Sequence, residues 1–322
     1  MKTWHTFSAA LVLGAAALGS AQGADNYPSK PIRFILPSSP GGGGDMVGRL
    51  IGDGLAKRLG QPVVIDNNAG ASGTIAIHQL SQSKPDGYTI GLGTMTSTTL
   101  APTVYPKLNY DPVKDLTTVA GIGTSPIMLL VTNDVPAKNL TEFLAYARQS
   151  AHPVQYGSWG LGSTGNFCAE VLAQKTGIKL SHVPYKGSAP VMTAMMGGEI
   201  KVAWLDMATA TASVRTGKMR PVALCTRPTA SFPDVRTYKQ EGVDFDQWTG
   251  WAMFAPPNLP KPVLDKLAAA VKQTISDPAV AVKLLDWGIT AEFIPGDKRN
   301  ADNARDIQAW RKIAVDAGMT FD

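Results

Sequence analysis

A run of glycines near the start of the chain separates a predicted strand from a predicted helix. Residues 37–45 read Pro-Ser-Ser-Pro-Gly-Gly-Gly-Gly-Asp, between an apolar strand at 31–36 and an apolar stripe of helical spacing at 45–59. In an open parallel sheet, ligands bind beyond the carboxyl ends of the strands, where a helix N-terminus offers free N–H groups and a positive dipole end. We therefore predict an anion site here. Its candidate residues are Ser39, Gly41, Gly42, Gly43 and Asp45.

The pattern of glycines narrows the kind of anion. A dinucleotide fingerprint needs a third glycine where Met46 stands, and the Gly-Lys-Ser/Thr ending of a phosphate-binding loop is missing. Because neither phosphate motif is present, the predicted anion is a carboxylate. The alternative is a connecting loop without a ligand.

A second strand–loop–helix segment repeats this arrangement in the middle of the chain. Residues 156–166 read Tyr-Gly-Ser-Trp-Gly-Leu-Gly-Ser-Thr-Gly-Asn. Helix capping is the alternative role for Ser163 and Thr164. Two such loops predict a ligand held between two halves of the protein. The candidates in this loop are Ser158, Trp159, Gly162, Ser163, Thr164 and Asn166.

Two charged residues also lie near predicted strand ends. Asp206 follows the strand at 200–205 and could accept a hydrogen bond from a ligand amine, hydroxyl or bridging water. Its alternative role is to cap the following helix. Lys186 could pair with an anion, although a solvated lysine is the default.

Motifs for catalysis are missing from the sequence. The nucleophile elbow Gly-x-Ser-x-Gly fails at Ser72, Ser158 and Ser163, and the histidines lack metal-site or general-base spacing. We predict a binding protein without enzymatic activity, cofactor or metal. A secreted α/β hydrolase or lyase that uses the glycine loops as an oxyanion site is the alternative class.

The chain length and the order of elements predict two domains. The 322 residues exceed one ordinary core, and strands alternate with helices as in βαβ units. We place chain crossings near 121–125 and 246–250. This gives a first lobe of residues 25–122 plus 250–322 and a second lobe of 123–249, joined by a hinge.

The N-terminus predicts export. Lys2 precedes an apolar run at about 7–18, and small residues follow, as in a signal peptide. The run is too short to span a membrane, so we predict a signal peptide at 1–24, cut between Ala21 and Asp25, and a periplasmic protein. The net charge of +5 comes without a Lys/Arg cluster, which argues against nucleic acid as a partner. Cys168 and Cys225 could pair in an exported protein or remain two buried thiols.

Several motifs in order resemble one family, over about residues 27–295. They lie at 40–45, 67–73, 84–88, 110–112, 156–163, 183–187, 197–198 and Asp206. The chain resembles the Bug-type (TctC-like) extracytoplasmic solute receptors of tripartite tricarboxylate transporters. The resemblance implies an α/β, type II periplasmic-binding-protein fold whose two lobes, joined by two hinge crossings, close on the ligand. It implies a carboxylate held by amides and hydroxyls of both glycine loops, with ordered waters, and makes Asp206 a candidate for a ligand amine or hydroxyl.

The resemblance also implies a partner permease of large and small membrane subunits, and one copy of the receptor suffices, so we predict a monomer. A sensory receptor of the same fold is the alternative function. The chain departs from the family pattern at Asn166-Phe167, where His-Leu is common, and at Ala194 and Lys201, where aspartate is frequent.

The hydroxyl-rich stretch 94–99 occupies a position that often faces the ligand in this family. Thr94, Thr96 and Ser97 are therefore predicted ligand residues. Trp159 and Phe167 could form a flat apolar wall, which would suit an aromatic mono- or dicarboxylate. The alternative is that both rings pack within the second lobe.

Overall fold

Two mixed β-sheets covered by helices make up the described part of the chain. The computed structural model describes residues 26–247, 249–316 and 318–319. The predicted signal peptide at 1–24 lies outside these ranges. In them, no helix combines the length and the apolar character that crossing a membrane requires. The strands are β1 (Ile32–Leu36), β2 (Val63–Asn67), β3 (Thr89–Thr94), β4 (Thr117–Thr124), β5 (Ile127–Thr132), β6 (Val154–Ser158), β7 (Leu180–Pro184), β8 (Val202–Asp206), β9 (Met219–Leu224), β10 (Gly250–Ala255) and β11 (Thr290–Pro295).

Helices follow most of the strands. A π-helical turn (Thr96–Leu100) runs directly into the short third helix, where the sequence predicted only a loop. The helices are α1 (Gly43–Leu59), α2 (Thr74–Ser81), α3 (Ala101–Val104), α4 (Leu140–Gln149), α5 (Thr164–Thr176), α6 (Ser188–Met196), α7 (Met207–Arg215), α8 (Lys261–Ile275), α9 (Pro278–Asp286) and α10 (Gly296–Asp316).

The first sheet runs in the order β11-β4-β10-β3-β1-β2. Strand β1 pairs in parallel with β2 and β3, whereas β10 is antiparallel to β3 and β4. The predicted stripe of α1 is buried against this sheet through Val47, Ile51 and Leu55. The helix ends where Gly60 takes a left-handed conformation (φ 69°).

The second sheet has five strands, in the order β7-β6-β8-β5-β9, which corresponds to the first sheet without its edge strand β11. Strands β10 and β5 occupy equivalent positions in the two sheets, and each is antiparallel to both of its neighbours. Each is also the first strand that the chain enters when it arrives from the other sheet. The two sheets with their helices are the first and second lobes. They confirm the predicted two-lobe α/β fold.

The two crossings of the chain lie side by side. Strand β4 remains in the first sheet through Thr124, and β5 begins at Ile127. Between them, the Ser125 N–H donates to the Thr249 carbonyl oxygen (3.0 Å), and the Thr249 hydroxyl donates back to the Ser125 carbonyl. Paired crossings of this kind suit a hinge. The predicted lobe boundaries at 122 and 249 remain predictions.

Helix α10 adds a contact between the lobes that the sequence did not predict. Near its start, Asn303 donates to the Thr98 carbonyl of the first lobe (2.9 Å). Near its end, the fully buried Trp310 packs edge-on against Phe167 and Phe245 of the second lobe, at ring-centroid distances of 4.8 and 5.8 Å. The helix therefore belongs to both cores, although residues 250–322 were assigned to the first lobe.

A disulfide joins Cys168 of α5 to Cys225 at the end of β9. Both residues are fully buried, and their Cα atoms lie 5.9 Å apart. The sequence left open whether these cysteines pair or remain two buried thiols, and in the structure they are paired. The described ranges contain no free cysteine.

Candidate functional site

A cleft opens between the lobes at the carboxyl ends of the strands. Its empty space is about 660 Å³, including solvent at the mouth, which is in the range of small-molecule sites. Five predicted site residues line it. They are Thr94, Thr96, Trp159, Thr164 and Asp206.

The other predicted residues lie close by without lining the cleft. Ser97 turns back to its own strand end, where its hydroxyl donates to the Thr94 carbonyl (3.3 Å). Lys186 is exposed, which agrees with the alternative that it is a solvated lysine. The remaining members of this group are Ser39, Gly41, Gly42, Gly43, Asp45, Ser158, Gly162, Ser163 and Asn166.

The amides of the first glycine loop already have acceptors within the protein. Gly41 N–H donates to the Asp45 carboxylate (2.9 Å), and Gly42 N–H to the Ser39 carbonyl (3.1 Å). Gly43 N–H donates to the Thr209 hydroxyl of the second lobe (2.9 Å). Among the loop glycines, Gly44 is the one that lines the cleft, and its N–H finds no acceptor among the described residues. A ligand role for Gly41 to Gly43 therefore remains a prediction.

Asp45 stabilises the first loop from inside. Its carboxylate also accepts from Asn67 Nδ2 (3.0 Å) and Arg49 Nε (2.9 Å). Burial acts to raise the pKa of Asp45, but the hydrogen bonds from Arg49, Gly41 and Asn67 lower it below the ordinary value. The ionised carboxylate thus fixes the loop at neutral pH.

The second glycine loop is built in the same way. Gly162 has a positive φ of 68°, as Gly41 has one of 77°. Each glycine N–H donates to the side chain four positions later, and for Gly162 the acceptor is Asn166 Oδ1 (2.9 Å). Asn166 and Asp45 are both the third residue of the helix that follows. Ser163 caps α5 by accepting from Asn166 N–H (3.2 Å), which is the capping alternative. Each lobe therefore carries one rigid loop of the same design.

Ser158 has a histidine partner that the sequence did not indicate. Its hydroxyl lies 2.7 Å from His182 Nε2 and 3.0 Å from Ser163 Oγ. Burial lowers the pKa of His182 to about 4, so the imidazole is neutral at neutral pH. Ser158 is fully buried and does not line the cleft, so this pair supports the loop from beneath. The pairing of β6 with β7 brings the two residues together, and spacing in the sequence gives no sign of it.

Asp206 lines the cleft and also caps α7. Its Oδ1 accepts from Thr209 N–H (3.0 Å), and its Oδ2 accepts from the Thr209 hydroxyl (3.0 Å). Among the described residues that line the cleft, Asp206 is the one charged side chain, and no lysine, arginine or histidine joins it. A carboxylate in the cleft would therefore be held by neutral donors.

The predicted aromatic wall is half wrong. Trp159 lines the cleft, but Phe167 is fully buried against Trp310 in the core. The second indole in the cleft is Trp251 of β10, whose Nε1 donates to Ser125 Oγ (3.3 Å). The sequence predicted that Trp251 lies in a strand. Whether its side chain faces the cleft depends on the pairing of β10 with β3 and β4, which the sequence does not show.

Other lining residues were also missed. The turn before α2 reaches the cleft with Ala71 and Ser72 in left-handed conformations (φ 43° and 55°), and such backbone strain concentrates at functional sites. Its signal was the Gly-Ala-Ser-Gly sequence at 70–73. The missed residues are Pro37, Ser38, Gly44, Ala69, Gly70, Ser72, Gly73, Met95, Ser125, Ile127, Gly187, Ser188, Thr249, Gly250 and Trp251.

Two lobes whose sheets share a five-strand arrangement, joined at a hinge around a cleft lined by hydroxyl and apolar side chains, are the architecture of a two-lobe solute-binding protein. Residues 47–312 match the model of the tripartite tricarboxylate transporter family receptors, and the chain belongs to this family. A UPF0065 protein of Bordetella pertussis is 35% identical over 90% of this chain and 88% of its own. The solved periplasmic binding protein BugD is 26% identical, with a TM-score of 0.87 over 91% of this chain and 99% of that one. An R. palustris protein solved with adipate is 30% identical, with a TM-score of 0.87 over 92% and 99%. These likenesses confirm the predicted Bug-type family.

Proposed function

We propose that this protein is a periplasmic receptor that binds one small carboxylate between its lobes and delivers it to a tripartite tricarboxylate transporter permease. The observation that carries the proposal is the lining of the cleft, which is rich in hydroxyl groups that can donate hydrogen bonds to a carboxylate. The related protein solved with adipate supports the class of ligand. Export through a cleaved signal peptide would place the receptor in the periplasm.

Neutral donors are sufficient for such a ligand. The hydroxyls of Ser38, Thr94 and Ser188 and the Gly44 amide all lie at the cleft. A hydrogen bond to a charged group contributes about 1.5–3 kcal/mol, and micromolar binding needs about 8 kcal/mol. Four or five such bonds reach that value. Among the described residues of the lining, no nucleophile has a base beside it, which favours binding without chemistry.

Binding of a carboxylate is tested by thermal unfolding of the mature protein with a panel of acids. The panel holds citrate, malate, adipate, benzoate, nicotinate and phthalate, each paired with its amide as a matched control. An acid at 100 times its dissociation constant adds about 2.7 kcal/mol, so we expect a rise in Tm of roughly 5–10 °C. The amide should give a smaller rise. Unchanged melting with every acid, in protein refolded to remove bound solute, would count against the proposal.

The two indoles indicate the ligand subclass. Trp159 from the second lobe and Trp251 from the first both reach the cleft, which favours a ligand with a flat aromatic ring. If benzoate or phthalate binds, Trp159→Ala should weaken it about 2- to 10-fold, because aromatic pairs contribute about 0.5–1.5 kcal/mol. The affinity for adipate should fall less.

Trp159→Phe is the matched control for this change, because it retains a ring at the same position. Titration calorimetry with both variants measures the two affinities. Equal losses for aromatic and aliphatic acids in Trp159→Ala would refute the aromatic subclass and leave the carboxylate receptor standing.

A further inference from the structure

The lobes are joined across the cleft by a chain of hydrogen bonds that begins at α1. Gly43 N–H of the first lobe donates to Thr209 Oγ1 of the second (2.9 Å), and the Thr209 hydroxyl donates in turn to Asp206 Oδ2 (3.0 Å). Thr209 is buried, with 1% of its surface exposed. We call these three residues the first clasp.

A second contact of the same kind runs in the opposite direction. Thr164 N–H, the first amide of α5 in the second lobe, donates to Thr96 Oγ1 of the first lobe (3.1 Å). The two threonine hydroxyl oxygens are also 2.6 Å apart. Thr96 and Thr164 form the second clasp. Both clasps have the same design. In each, the first amide of the helix after a glycine loop donates to a threonine of the other lobe, Thr209 just beyond β8 or Thr96 just beyond β3.

Glycines make room for this approach. A Cβ atom on Gly43 would lie 1.7 Å from Asp206 Oδ1, and one on Gly160 would lie 2.5 Å from Ser72 Oγ. Nearby, the Leu161 carbonyl of the second lobe accepts from the hydroxyls of Ser72 and Tyr105, both at 2.6 Å. Gly43 has no positive φ and begins a helix, so alanine is compatible with its backbone in the first lobe. The need for glycine at position 43 therefore comes from the other lobe.

We propose that the two clasps define the closed state of the receptor, with Thr96 and Thr209 as positioning residues and Gly43 as the residue that permits closure. The inference rests on the proposed function only in that closure would enclose the bound acid. The contacts themselves involve no ligand. The Gly43 amide of the first loop would thus serve closure, while the ligand uses the hydroxyls and the Gly44 amide.

Cross-linking across the second clasp tests this proposal without a ligand. In a Thr96→Cys, Thr164→Cys protein, two thiols replace hydroxyls that lie 2.6 Å apart, so a disulfide should form under mild oxidation when the lobes close. The native cysteines are already paired. We expect rapid cross-linking, and adding Gly43→Ala should slow it at least tenfold because the first clasp can no longer form. Each single-cysteine protein is a control for exchange with the native disulfide.

Gly197→Ala is the matched glycine control, since its added carbon would meet only ordinary contacts, the nearest being the Thr193 carbonyl at 3.4 Å. It should leave the rate unchanged. Thr209→Val should slow cross-linking about tenfold through its lost hydrogen bonds, and Thr209→Ser should restore the rate. Melting of Gly43→Ala should match the parent, which separates blocked closure from misfolding.

Two results would overturn the proposal: no cross-link in the parent pair, or cross-linking at the parent rate in the Gly43→Ala protein. Acids that bind should accelerate cross-linking. If no acid does so and the Gly43→Ala effect persists, the closure mechanism stands and the carboxylate function falls.

Discussion

Replacing Cys168 and Cys225 together by serine is expected to lower the free energy of unfolding by about 4 kcal/mol. The disulfide spans a sequence separation of 57 residues, and closing a loop of that length in the unfolded chain accounts for a loss of this size. Both sulfur atoms are buried, so two hydroxyls without partners would add to it. Urea unfolding of the oxidised, reduced and double-serine proteins measures the change.

The Cys168→Ala, Cys225→Ala protein separates the two contributions, because it removes the bond without adding hydroxyl groups. Its free energy of unfolding should lie between those of the oxidised protein and the double-serine protein. A double-serine protein as stable as the oxidised one would contradict a structural disulfide. Since the bond lies within the second lobe, affinity for acids should change less than stability.

Replacing Trp310 by alanine is expected to lower the free energy of unfolding by about 3–5 kcal/mol, as removing large buried aromatic side chains does. Trp310 is fully buried between Phe167 and Phe245, although it lies on a helix that starts in the first lobe. Its indole N–H has no hydrogen-bond partner within the described residues, so the loss should come from packing.

Two controls accompany this change. Trp310→Phe keeps a ring and should lose less, and Val315→Ala, at a side chain 62% exposed on the same helix, should change stability by less than about 0.5 kcal/mol. Urea unfolding followed by fluorescence and by circular dichroism measures all three. If α10 joins the two cores, the alanine variant should also show separated transitions for the two lobes. A loss no larger than that of Val315→Ala would contradict the assignment.

The fold could be predicted because its signals are local. Strands and helices alternate with distinct periods, and the apolar stripe of α1 and its terminal Gly60 are visible in the sequence. The order of strands in each sheet depends on pairing between distant segments, which no local pattern specifies. The contact of the second half of α10 with the second lobe could not be predicted for the same reason, since the stripe that contains Trp310 does not say which lobe it meets.

Some of the predicted residues line the cleft because they end a strand or begin the helix that follows its loop. Thr94, Thr164 and Asp206 fall at the cleft because carboxyl ends of parallel strands share one edge. The sequence could not show that Thr209, 166 residues beyond Gly43, takes the glycine amide predicted for a ligand. That contact exists only when two lobes meet. Trp251 was missed because strand pairing, and not composition, decides which side chains face the cleft.

Titration calorimetry of the refolded, solute-free protein with the acids of the panel measures whether the cleft binds a carboxylate. We expect at least one carboxylate to bind with a stoichiometry of one per chain and a micromolar Kd, and its amide to bind more weakly. Heat from no acid, or an amide bound as tightly as its acid, would contradict a receptor built for a carboxylate.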